Sequence, residues 1–169
     1  MMTITELCEK HREDLLPKWV ERFFATYPLD SVGFLRSSGD PFSNPVGRIT
    51  HEATALLYDS IAGKDANPER VKAALGELVR VRAVQDFNPS RALGPLYLLK
   101  SLIREKALAQ NLCRELLELE SRVDALALLA FDLYAEDREK VFTIRVEEVK
   151  RGQSQLVRWA KAKGVEGAK

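Results

Sequence analysis

From Leu96 to Arg151 the chain contains neither glycine nor proline. The two strongest helix breakers are missing, and apolar residues recur three and four apart, so the stretch reads as helix. Leu96, Leu99, Leu102 and Ile103 mark one helix. Leu112, Leu116, Leu119, Val123, Leu126, Leu129, Ala130 and Leu133 mark the next, with a break expected near Ala109 to Asn111. Ala125 to Leu133 is apolar nearly all round, which puts it at the centre of a bundle. From Asp137 the pattern changes. Phe142, Val146, Val149, Gln153, Leu156 and Ala160 follow a four-three spacing with charges elsewhere. That is a heptad seam of about three heptads, weakened at Gly152 by roughly 1 kcal/mol relative to alanine. It reads either as a last bundle helix or as a dimerising, signal-carrying helix.

The earlier part of the chain is punctuated. Thr3 and Glu6 have the spacing of a capping box. A helix is expected from there to about Tyr27, bent at Pro17, with Leu7, Leu15, Leu16, Trp19, Val20, Phe23 and Phe24 on its apolar face. Residues from Pro28 to Gly47 are rich in proline and glycine and read as an irregular loop, pinned by Phe42 and Val46. A helix from about Arg48 to Ile61 ends at Gly63. Asn67-Pro68 and Asn88-Pro89 each start a helix, the asparagine as cap and the proline where no N–H is needed. Gly94-Pro95 restarts or kinks the second of these. The expected fold is all-α, a single bundle of about six helices with a long C-terminal helix. Residues 1–136 form the body, and 137–169 form the last helix and a frayed tail.

Arg82 stands out. Val71, Leu75 and Leu78 lie on one helical face, and the next position on that line is Arg82. Three readings stay open. It sits at the core edge with its head in water, it pairs with an acidic residue, or it holds a charge in a pocket for an anion or a partner. Arg80 falls on another face and reads as solvated.

A formal net charge of +1 removes the main electrostatic argument for nucleic acid. The first 18 residues lack the apolar run of a secretion signal, and no stretch approaches the length needed to insert in a membrane. The cytoplasm is therefore the expected location. Cys8 and Cys113 form no CxxC pair and read as buried thiols. There is no Walker A motif, dinucleotide glycine motif, HExxH or Gly-x-Ser-x-Gly. Glu115, Glu118 and Asp132 are conceivable metal carboxylates, but neither His11 nor His51 completes the Glu-x-x-His of a di-iron bundle. Neither histidine is placed by chain order for a proximal haem ligand. No metal or other cofactor is expected.

The residues Asp40-Pro-Phe-Ser-Asn-Pro-Val-Gly47 and Val79-Arg-Val-Arg-Ala-Val-Gln-Asp-Phe-Asn-Pro-Ser90 resemble the N-terminal domain of RsbRD-type proteins, the RsbT co-antagonists of the stressosome. The resemblance extends from the Trp19 helix to about Ala135. It implies a sensory or regulatory input domain that is not an enzyme and works through protein partners in a signalling assembly. Related input domains are globin-like, dimeric and free of haem, and usually precede a STAS domain or a kinase. This chain stops at Lys169 without one, so a free-standing sensor or adaptor is expected. The resemblance supplies no ligand residues. The residues themselves suggest Phe42, Asn44, Arg48, Arg82 and Tyr97 for a ligand or partner, and Phe142, Val146, Val149 and Leu156 for the dimer or signalling contact. The alternative is a small-ligand-binding domain or small enzyme with a pocket beneath the 40–47 loop, lined by Phe42, Arg82 and Tyr97.

Overall fold

The computed structural model describes residues 2–36, 43–64 and 67–166, with Ala162, Val165 and Glu166 described by backbone alone. Among the described residues there are seven α-helices and no strand: α1 (Ile4–Lys10), α2 (Arg12–Phe24), α3 (Leu29–Arg36), α4 (Pro45–Ile61), α5 (Pro68–Val84), α6 (Pro89–Leu108) and α7 (Cys113–Glu166). The fold is the expected all-α bundle with a long last helix.

Helix starts follow the local chemistry. The Thr3 hydroxyl accepts from the Glu6 N–H at 3.2 Å, and the Glu6 carboxylate accepts from the Thr3 N–H at 2.7 Å. Asn67 and Asn88 cap α5 and α6 ahead of their prolines. Asn44-Pro45 repeats the device, so α4 begins at Pro45 and not at Arg48. Pro17 does not interrupt its helix. Pro17 lies inside α2, where the carbonyl that loses its helical donor belongs to the exposed Glu13. The chain turns instead at His11, so that α1 packs on α6 and α7 while α2 packs on α4 and α6. The segment from Pro28 is not wholly irregular. Val32 and Leu35 make α3 amphipathic enough to close a small cluster with Val20 and Phe24.

The main core joins the inner faces of α1, α2, α4, α5, α6 and α7, with Trp19, Leu57, Tyr58, Leu75, Leu99 and Leu119 almost fully buried. Pro95 neither stops nor restarts α6. Cys8 is buried, which pushes its thiol up to about 11, but Cys113 is exposed and not the buried thiol expected. Ala125 to Leu133 is not buried all round either. Ala127 and Ala130 face the core, whereas Leu128 is 66% and Phe131 52% exposed.

Helix α7 crosses the 136/137 boundary without a break. At 54 residues and about 1.5 Å per residue it is roughly 80 Å long. Leu116, Leu119, Val123, Ala127, Ala130 and Tyr134 pack on the bundle, and Asp137 is its last buried residue among those described. Beyond Val146 every described side chain of α7 is exposed, so this half of the helix projects from the body.

Candidate functional site

Arg82 is 1% exposed, so its head is not in water. No carboxylate pairs with it among the described residues. Its Nε donates to the Ala92 carbonyl at 2.8 Å, and its Nη2 donates to the Arg91 carbonyl at 2.8 Å and the Thr26 hydroxyl at 2.6 Å. The chain chemistry explains the arrangement. Pro95 has no N–H, so the carbonyl four residues earlier, that of Arg91, loses its helical donor. The buried guanidinium supplies one. Phe23, Tyr27 and Phe87 surround the charge, with ring centroids 5.4, 5.5 and 4.7 Å from the guanidinium carbon. Desolvating such an ion costs several kcal/mol. Three charge-assisted hydrogen bonds, at roughly 1.5–3 kcal/mol each, and three rings are of the size needed to offset it. One N–H group is left over: Nη1 is buried and has no hydrogen-bond partner among the described residues.

Arg91 lies over the same ring, its guanidinium carbon 4.5 Å from the Phe87 centroid. Its Nε donates to the Thr26 carbonyl at 2.7 Å. Both arginines thus bind polar groups just past the C-terminus of α2, where helix geometry leaves carbonyls unpaired and partial negative charge accumulates. Arg122 of α7 does the same for α4, donating to the Ile61 carbonyl at 3.1 Å.

The turn between α5 and α6 is held from the outgoing helix. Asp86 adopts a left-handed φ of 65° and presents its carboxylate to Arg138 and Arg145 of α7. The hydrogen bond from Arg138, with Arg145 adding, holds this carboxyl below the usual carboxylate range. Arg138 also donates to the Ala83 carbonyl at 3.1 Å, and the Tyr134 hydroxyl donates to the Phe87 carbonyl. Asp137, beside them, pairs with Arg80 at 3.7 Å and Lys140 at 3.2 Å, so Arg80 is exposed but not unpartnered. Gln85 to Phe87 is therefore where α7 leaves the body and where it is fastened.

A cleft of about 300 Å³ opens on the same turn, lined by Tyr27, Pro28, Gln85, Asp86, Phe87 and Arg91. The Tyr27 and Phe87 rings pack edge to face, 5.0 Å between centroids. The Tyr27 hydroxyl donates to Gln85 Oε1 at 2.7 Å, and burial pushes its pKa up.

The residues singled out from the sequence do not share one site. Phe42 lies outside the described residues. Asn44 is buried, accepts from the Gly47 N–H at 2.9 Å and donates to the Leu35 carbonyl at 3.1 Å, which is capping work. Arg48 pairs with Glu52 one turn along the surface. Tyr97 lines a different, mostly apolar groove of about 530 Å³ between α6 and α7, with Leu93, Leu128 and Phe131. Phe142, Val149 and Leu156 are 68, 59 and 67% exposed, and Val146 is half-buried. Leu128, Ala135, Phe142, Val149 and Leu156, every seventh residue, are all exposed, so the apolar line starts two heptads before Phe142. Sequence reading missed Thr26, Tyr27, Gln85, Arg91, Tyr134 and Arg138. One signal for Arg91 was present: it stands four residues before Pro95.

Among the described residues no cluster of histidine, cysteine or carboxylate side chains could hold a metal ion, and no helix is long and apolar enough to cross a membrane. The family model described as RsbT co-antagonist protein rsbRD N-terminal domain matches residues 13–149. That span runs from the start of α2 into the projecting half of α7. No curated protein and no solved structure gives a significant match.

Proposed function

Since the chain belongs to the RsbRD N-terminal domain family, a family of stressosome-associated regulatory domains, we propose that it is a non-catalytic input module that signals through α7. Residues 1–136 form the receiving body, and residues from 137 onward carry the output. The observation behind this reading is the exposed apolar line from Leu128 to Leu156, on a helix whose first half packs on the body and whose exit is held at the Gln85–Phe87 turn. A lone helix leaving its bundle gains nothing by showing such a line to water. Laid against a second copy, the line becomes the seam of a two-stranded coil. The module acts in the cytoplasm, as a homodimer, on protein partners in a signalling assembly. A signal at the body needs only to favour one of two α7 arrangements that differ by a few kcal/mol.

Sedimentation of the whole chain tests the seam. The parent should sediment as a dimer, and Val149→Asp or Leu156→Asp as a monomer with unchanged helical content. Equal masses for all three proteins would remove the seam from the account.

A further inference from the structure

We propose that the cleft over the Gln85–Phe87 turn is a binding site for a small oxyanion, a carboxylate or a phosphate, received by Arg91 with Arg82 behind it. The charge balance is the first observation. Four guanidinium groups, those of Arg82, Arg91, Arg138 and Arg145, surround this turn, and a single carboxylate, that of Asp86, faces them. The nearby Asp137 is occupied by Arg80 and Lys140. Among the described residues neither Arg82 nor Arg91 has a carboxylate within ion-pair distance. An excess of positive charge around a cleft raises the local concentration of anions.

The unsatisfied group is the second, independent observation. Arg82 is 1% exposed and its Nη1 donates to nothing among the described residues. An unmade hydrogen bond of a buried charged group is costly. The guanidinium carbon that carries it lies over the Tyr27 and Phe87 rings, and both rings line the cleft. Arg91 lines the cleft, exposed and over the Phe87 ring. Its Nε and Nη2 donate to the Thr26 carbonyl, which leaves the Nη1 edge for a charge-assisted hydrogen bond to an oxyanion, and the rings beside it suit a flat apolar body. About 300 Å³ lies at the lower end of the range for small-molecule sites.

An anion here would sit on the turn that Tyr134, Arg138 and Arg145 hold, beside the Asp86 carboxylate that those two arginines clasp. Its effect on α7 rests on the regulatory reading above, whereas the binding itself does not.

The test is an NMR titration of the full chain with benzoate and, separately, inorganic phosphate, at constant ionic strength. Saturable shifts should appear at the amides of Tyr27, Gln85, Phe87 and Arg91. Benzoate alone would point to a carboxylate on an apolar body, and phosphate alone to a free oxyanion. Arg91→Met should weaken binding about tenfold, the loss of one charge-assisted hydrogen bond. Asp86→Asn, which removes the one negative group of the lining, should tighten it. No saturable shift with either probe, or shifts that centre on Lys161 and Lys163, would overturn the site. Binding is read on Val149→Asp as well as on the parent. If both bind alike, the site stands whether or not the seam forms a dimer.

Discussion

The two halves of α7 form one uninterrupted helix with opposite surroundings. In residues 113–137, Leu116, Leu119, Val123, Ala127, Ala130 and Tyr134 lie against the bundle. In residues 138–166, Phe142, Val149, Leu156 and Trp159 are each more than half exposed. Both halves carry residues of one face at helical spacing, and the spacings agree. The buried stripe, Leu116, Leu119, Val123, Ala127, Ala130, Tyr134 and Asp137, advances 21 residues in six steps, 3.5 per step. The exposed line also repeats every seventh residue, 3.5 per turn, the period of a helix that keeps one face against a neighbour. Periodicity thus says that a face is meant to be covered, and only the folded surroundings say whether the body covers it.

The largest break between the halves should come from truncating one apolar residue in each. Leu119→Ala removes a fully buried side chain and should cost about 2–5 kcal/mol of unfolding free energy. Phe142→Ala, measured by denaturant unfolding at concentrations where the chain is monomeric, should change it by less than about 0.5 kcal/mol. A Phe142→Ala cost as large as that of Leu119→Ala would mean that the projecting half packs on the body.

The contrast also marks what was legible in the sequence. Helix starts depend on a few adjacent atoms, and Thr3, Asn67 and Asn88 could be read directly. The heptad from Phe142 was visible because charges fill the other positions. Its earlier part was not. Leu128 and Phe131 sit among Leu126, Leu129 and Leu133, and only packing decides which of these face the core. Arg82 was noticed because it interrupts an apolar line. Its partners could not be read, because they are backbone carbonyls, and every residue has one. The cleft residues were missed for a related reason. Tyr27, Gln85 and Arg91 come from three separate segments that meet only in the folded chain, and none of them is unusual for its own segment. Asn44 was expected at a binding loop, yet its side chain is used locally to start α4.

A glycine in each region sharpens the comparison at smaller scale. At Gly47 an added Cβ would come 2.3 Å from Asn44 Nδ2 and 2.6 Å from the Leu35 carbonyl, so the body admits no methyl there without movement. At Gly152 nothing lies within 4 Å. Gly152→Ala should therefore gain up to about 1 kcal/mol of local helix stability. Slower amide exchange around Val149 to Gln155, with an unmoved global unfolding midpoint, is the expected result. A midpoint that moved by the full amount would place the projecting half in the same cooperative unit as the body.

The smallest effect belongs at the boundary itself, where Asp86 clasps Arg138 and Arg145. These are solvated groups, so the clasp steers α7 more than it stabilises the fold. Its sign with pH follows from the direction of the shift. Asp86 is held below the ordinary carboxylate range, first by the hydrogen bond from Arg138 and then by Arg145. The contribution is fully present above the pKa of a free aspartate, about 3.9. It is lost as pH falls through the lower, folded value. Amide shifts of Arg138 to Phe142 should titrate with that lowered midpoint, and added salt should move the midpoint upward by screening the two arginines. Asp86→Asn should abolish the titration while leaving the amides of Leu116 to Val123 untouched. If the Leu116–Val123 amides move with it, the clasp is part of the body, and the two halves of α7 divide further along the helix than Asp137.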